Sequence, residues 1–281
     1  IAESNKEDIG IDAQIVPRLT DVAGHDNPRL SRPLNRLRHQ IRMSTRKTAR
    51  DASRPPGGAT NAVKEGAHAL DLSSCVNTKD RLLRVAEYLF ARKGVWSARV
   101  RDINELAGQR NASALHYHFG SRRGLIKAVM LRHQLEIDVK QTPLLDELEK
   151  RTDYAVRDIL EIVVVPLVAR LDSPSGRDFL RIIPQILGKL SGDLRQGITI
   201  RLTMSRVIDL LDGRLGALPE PIRRERLVVY ALMISSLCAN YAEFIDSGVP
   251  PVLDSRAFAT HLVDVISAAL CAPNTVDPSV R

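Results

Sequence analysis

The residues whose types and spacing can do chemistry lie between Val100 and Arg123, in the stretch VRDINELAGQRNASALHYHFGSRR. Asn111, Ser113 and His116 carry short or planar polar side chains that donate and accept hydrogen bonds. Leu115 and Phe119, four residues apart, share one helical face, which leaves those three, with Ala114 and Tyr117, to point away from it. That set suits the edges of base pairs in a duplex: amide, hydroxyl and imidazole groups for hydrogen bonding, and the Ala114 methyl for contact with a thymine methyl. His116 and His118 form a His-x-His pair, but no Cys or carboxylate stands beside them, so no metal site is expected. Nothing nearby supplies a nucleophile with its base or a phosphate-cradling loop, so no enzyme and no cofactor is expected.

Two short helices must position these groups. Val100, Ile103, Leu106 and Ala107 recur at helical spacing, and Gly108 follows at once, where a left-handed residue ends a helix sharply. Gln109, Arg110 and Asn111 restart the chain, with Asn111 a suitable cap for a second helix over Ala112–Phe119. A helix, a glycine turn and a small polar helix make a helix-turn-helix, whose second helix enters the major groove. An amphipathic helix precedes it from Thr78, with Leu82, Leu83, Val85, Ala86, Leu89 and Phe90 inward and Lys93-Gly94 at its end. Trp96, the one tryptophan, is expected to pack between helices. Gly120-Ser121 recaps the chain, and Leu125, Ile126, Val129, Met130 and Leu135 carry a third helix to about Val139.

Charge agrees with a polyanionic partner. Residues 78–133 hold 12 Lys and Arg against 4 Asp and Glu, whereas residues 134–281 hold 17 against 20. A basicity meant for solubility alone would not segregate in this way. Cys75, Cys238 and Cys271 are far apart and match neither a metal spacing nor a disulfide framework, which fits a reducing compartment. No apolar run approaches the ~20 residues that span a bilayer, and the start lacks the order of a secretory signal. A cytoplasmic, nucleoid-associated protein is expected.

Residues 1–76 read as a disordered basic arm, interrupted by Pro17, Pro28, Pro33, Pro55 and Pro56. Within it, residues 29–54 carry nine Lys and Arg and one acid, a possible source of added phosphate contacts. Residues 77–123 form the DNA-binding unit, 124–272 a helical body and 273–281 a polar tail. In the body, helices are expected over 153–171, 177–190, 195–212, 221–247 and 255–271, with a change of pattern at Thr142-Pro143 and a kink or break at Pro166. No segment alternates with period two, so the fold class is all-α, with about nine helices.

These residues resemble the TetR/AcrR family of bacterial one-component transcriptional regulators. Three pieces carry the resemblance: LLRVAEYLFARKGVWSARVRDINELAG, then ALHYHFGSRRGLIKAVM, then a three-helix end ahead of a longer helical body. The close match covers residues 78–133. Two departures stand out: the AGQRN turn is one residue longer than the usual form, and Arg99 replaces the Thr or Ser common at the start of its helix. The resemblance implies that Tyr117 and His118 contact backbone phosphates, together with Thr78, Arg99, Arg101, Arg110, Ser121 and Arg122. It also implies an effector pocket and a dimer interface in the body. Polar residues within apolar helices are the pocket candidates: His133, Tyr154, Arg181, Gln185 and Tyr241. The helices at 221–247 and 255–271, rich in Ala and Ser among apolar residues, are expected to pair two copies.

The function expected is therefore a homodimeric repressor on palindromic double-stranded DNA, released by a small molecule. The alternative is an activator or architectural DNA-binding protein of the same fold that uses the basic arm.

Overall fold

The computed structural model describes residues 70–73, 75–109, 111, 113–187, 202–248 and 250–276. Among them are nine α-helices and no strand. They are α1 (Thr78–Lys93), α2 (Val100–Leu106), α3 (Ala114–Phe119), α4 (Arg122–Leu148), α5 (Val156–Val168), α6 (Pro174–Leu187), α7 (Leu202–Arg214), α8 (Glu220–Asp246) and α9 (Ser255–Cys271), with a 3₁₀ turn at Ala169–Asp172 between α5 and α6.

The head is built around α1. Asn77 caps it, its side-chain oxygen accepting the Asp80 N–H at 2.9 Å. Arg92 and Lys93 sit in its last turn, where cations favour the helix dipole. Gly94 then ends it at φ +94°, a conformation that a side chain disfavours. Leu82, Val85, Ala86, Leu89 and Phe90 bury against Val95, Ala98, Ile103, Ala107, Leu115, Leu125, Ile126 and Val129. Ile182 and Ile186 of α6 join the same cluster, so the head packs on the body through an apolar seam. Leu70, ahead of α1, also packs here. Each fully buried leucine or phenylalanine of this kind contributes about 1.5–3 kcal/mol relative to exposure.

α4 spans head and body. Its buried residues, Leu125, Ile126, Val129, His133, Ile137, Gln141, Leu145 and Leu148, form one continuous inward stripe. The body core gathers α5, α6, α7, α8 and α9 around Ile159, Leu160, Val164, Phe179, Leu180, Leu211, Cys238, Leu262 and Ile266. α8 lies chiefly along α6, and α9 along α5.

Four expectations are corrected. α4 does not stop near Val139 but runs through Pro143. Pro143 and Val139 both lie on the exposed side, so the carbonyl that loses its partner meets water, and the buried stripe carries on to Leu145 and Leu148. Leu135 is 48% exposed, because His133 and Ile137 hold the inward positions. Trp96 is 37% exposed: Val95 and Ala98 fill the space behind it. Finally, α8 contains an 18-residue window of mean hydropathy 1.5, long and apolar enough by length and composition to cross a membrane. Only 28% of that window is buried in the single chain.

Candidate nucleic-acid interface

α2 and α3 meet through the turn that the sequence marks. Gly108 takes φ +71°, and its N–H bonds the Glu105 carbonyl at 3.0 Å. The Gln109 N–H bonds the Asn104 carbonyl at 2.9 Å, which closes α2. The Asn111 side-chain oxygen accepts the Ser113 N–H at 2.8 Å, an Asx turn that launches α3. That leaves the Asn111 amide donors to face outward. α3 begins at Ala114, two residues later than the periodicity predicts, and has six residues. Leu115 anchors it at 3% exposure. Asn111, Ser113, His116 and Tyr117 are exposed, Tyr117 at 85%, while Ala114, His118 and Phe119 are half-buried. The Tyr117 and His118 rings stand edge to face at 5.1 Å.

Exposed cations of the head include Arg99 at the N-cap of α2, Arg101 in its first turn and Arg123 at the start of α4. Arg81 of α1 is exposed too, and a Cβ placed on Gly108 would stand 3.8 Å from its guanidinium. Thr78 is half-buried in the first turn of α1. The Ser121 hydroxyl caps α4 by accepting the Gly124 N–H at 3.0 Å. Arg110 lies outside the described residues.

Arg122 does not join the exposed cations. Its guanidinium turns inward and donates to the carbonyl oxygens of Ala98, at 2.6 Å, and Val95, with its carbon 5.5 Å from the Phe90 ring centre. Burial draws its pKa below the ordinary arginine value. Arg123 and Arg81, which sequence reasoning did not single out for phosphate, occupy exposed positions instead. A pair of adjacent arginines at the start of a helix is the signal that one of them can serve inside. Lys93 and Asp102 pair at 2.8 Å and tie α1 to α2.

The five pocket candidates each make contacts within the chain. His133 is 1% exposed and bonds Glu87 through Nε2, with its ring stacked 4.4 Å from that of Phe179. Arg181 reaches Asp246 at 2.7 Å, Glu243 at 3.1 Å and the Ala242 carbonyl at 3.1 Å. Gln185 accepts the Val95 N–H at 2.8 Å and donates to the Arg181 carbonyl at 2.9 Å. Tyr241 donates to the Leu253 carbonyl and stacks on Phe258 at 3.8 Å. Tyr154 lies under the Arg214 guanidinium at 3.7 Å. A groove of about 490 Å³ opens elsewhere, between α5 and α9, past Glu161, Val165, Asp172, Arg256 and Val263. Among the described residues no three His, Cys, Asp or Glu side chains are grouped to hold a metal.

Among the described residues, these features define an all-helical fold with a helix-turn-helix head carried on a helical body. No protein-family model matches the sequence, and a search of curated proteins finds no relative. Solved structures align with the chain at low identity. A TetR-like transcriptional regulator from Rhodococcus sp. RHA1 aligns over 70% of this chain and 97% of its own at 14% identity, with a TM-score of 0.48. The fatty acid degradation regulator FadR from Bacillus halodurans aligns over 68% and 94% at 16% identity, TM-score 0.45. NalD, the secondary repressor of the MexAB-OprM multidrug efflux pump in Pseudomonas aeruginosa, aligns over 68% and 95% at 17% identity, TM-score 0.44.

Proposed function

We propose that the chain is a sequence-specific DNA-binding transcriptional regulator of the TetR/AcrR type, acting as a homodimeric repressor that a small molecule releases. One observation carries the reading. The turn before α3 presents Asn111 and Ser113 to solvent, and α3 presents His116 and Tyr117, with Ile103, Ala107 and Leu115 buried in the head. Arg81, Arg99, Arg101 and Arg123 of the same head are exposed, and Arg81 lies beside Gly108 of the turn. In this reading α3 enters the major groove, where Asn111, Ser113, Ala114 and His116 meet base edges. Tyr117, His118, Thr78, Arg99, Arg101 and Ser121 meet phosphates, and Arg123 takes the phosphate role expected of Arg122.

Pairing is supported by α8 and α9. Val228, Val229, Leu232 and Leu237 of α8 and Val265 of α9 are each 38–45% exposed in the single chain. A surface of that kind is costly in water and suits a self-complementary partner. Two heads on one palindrome then sit about 34 Å apart. Release by an effector requires that the effector bind one arrangement of the heads better than the other.

Selection of bound DNA from a random pool tests the reading. A palindromic site whose affinity falls steeply with salt is expected. Recovery of no sequence, or of binding indifferent to salt, overturns it.

A further inference from the structure

The seam between head and body is apolar at Ile182 and Ile186 of α6 and polar at Ser175 and Asp178 of the same helix. Glu87 of α1 is 1% exposed. Its two carboxylate oxygens accept the Ser175 hydroxyl at 3.0 and 2.9 Å, and it also contacts His133 of α4 and Arg84, the latter at 3.4 Å. Asp178 of α6 is fully buried and receives Arg84 at 2.8 Å and Arg92 at 2.6 Å, both from α1, with Arg181 at 3.6 Å. Arg181 then passes to α8, through Asp246, Glu243 and the Ala242 carbonyl. Gln185 runs alongside, bonding the Val95 N–H of the head and the Arg181 carbonyl of α6. A chain of directional contacts thus leads from the reading head to the helix whose outer face is apolar and unpaired.

Apolar packing between helices favours one crossing angle by fitting ridges into grooves. Buried ions add a directional constraint. Tilting α1 against α6 strips Asp178 of Arg84 and Arg92 while it stays out of water, which is the costly way to break such a pair. A charged joint of this kind holds one angle or lets go of it; intermediate angles are disfavoured.

We propose that Arg84, Glu87 and Arg92, gripped by His133, Ser175 and Asp178, are positioning residues that determine which half-site spacing the regulator accepts. The joint locks each head at one angle to α6 and, through Arg181, to α8. With the heads locked, a dimer meets two half-sites at one separation only. The inference rests on the DNA-binding, dimeric reading above, whereas the locked angle is a property of the single chain.

The experiment has two arms, with wild type compared with Asp178→Asn and with a second variant, Glu87→Leu/His133→Phe/Ser175→Ala. The second variant replaces the Glu87 half of the joint by apolar groups and leaves Arg84 paired with Asp178, which guards against loss of folding. The first arm needs neither DNA nor a dimer. Spin labels on exposed Glu105→Cys of α2 and Arg224→Cys of α8, in a chain with Cys75 and Cys271 replaced by Ser, report the distance from head to body. A narrow distribution in wild type and a broad one in either variant is expected. An equally narrow distribution in both variants overturns the lock. The second arm measures affinity for the selected site, for its single half-site, and for sites with one or two base pairs added or removed at the centre. Wild type should lose at least tenfold for each step. The variants should bind the half-site within twofold of wild type and lose less than threefold per step. Spacing dependence unchanged in the variants, or equal losses on half-site and full site, overturns the positioning role. If wild type selects no sequence while the first arm behaves as expected, the DNA reading fails and the locked angle stands.

Discussion

Arg122 and Ala98 are joined by a 2.6 Å hydrogen bond that turns the Arg122 guanidinium away from the face of α3. The bond pins the loop between α1 and α2 to the start of α4. Arg122→Ala should therefore destabilise the chain by about 1–2 kcal/mol, since charge-assisted bonds to buried carbonyls are lost, and leave the salt dependence of DNA binding unchanged. Arg123→Ala should leave the thermal midpoint unchanged and lower the salt slope by about 1, the release of one counterion. Thermal unfolding and salt titrations of the two variants separate them. The opposite pattern would return Arg122 to the phosphates.

Asn111 has two tasks that a substitution can divide. Its oxygen holds the turn by accepting the Ser113 N–H, and its amide donors face outward. Asn111→Asp keeps the acceptor and removes the donors, so the fold should stay intact while specific binding weakens by about 1–3 kcal/mol, the worth of a good base contact. His116→Ala should cost a similar amount on the selected site and little on random DNA. Competition gel shifts with the selected site and with random duplex check both. Equal losses on the two DNAs would assign these residues to the backbone instead.

The helix-turn-helix head was legible because glycines and apolar spacing dictate it. Gly94, Gly108 and Gly120 all take positive φ, at the helix ends where the sequence places them. The charged joint was not legible. Arg84 and Glu87 interrupt an otherwise apolar run in α1, at i and i+3, and Asp178 and Arg181 repeat that spacing in α6. A buried charge calls for a partner, but the partner lies some 90 residues away on another helix, and periodicity does not pair helices. For the same reason the sequence does not show that His133, Arg181 and Gln185 bond along the seam between head and body. The orientation of Trp96 depended on whether Val95 and Ala98 already filled the space, which spacing alone does not decide.

The outer face of α8 and α9 predicts the assembly state. Leu232 is 43% exposed and Val265 is 38% exposed, so neither is needed for the single-chain core. Leu232→Glu with Val265→Glu should leave the chain folded and convert a dimer to a monomer, because like charges then face each other across a two-fold axis. Light scattering after gel filtration, beside circular dichroism, reads both. A dimer that survives the double substitution places the interface elsewhere.

Acid should loosen the body between α4 and α7. Arg206 of α7 grips Glu149, just after α4, with two bonds of 2.8 Å, and these hold the Glu149 carboxyl below its ordinary value of 4.5. A lowered carboxylate pKa stabilises the folded state above the ordinary value, and that stability is lost as pH falls through the folded one. Both side chains are partly exposed, so solvent screening keeps the contribution to under about 1 kcal/mol. Glu149→Gln should lower the urea midpoint at pH 6, by an amount that shrinks as the pH falls below the ordinary carboxylate value. A gap that persists in acid would mean the substitution acts through packing.

Cys238 offers a reporter of core integrity. It is fully buried within α8, and burial pushes its thiol up to about 12. At neutral pH almost none of it is thiolate, the reactive form. In the Cys75→Ser/Cys271→Ser chain, iodoacetamide should leave Cys238 unmodified for as long as the core holds and label it fully in denaturant. Partial unfolding of the body then reads out as labelling well below the global midpoint. Rapid modification of the native chain would show that α8 opens readily from α6, and an α8 that opens so easily could not hold two subunits together.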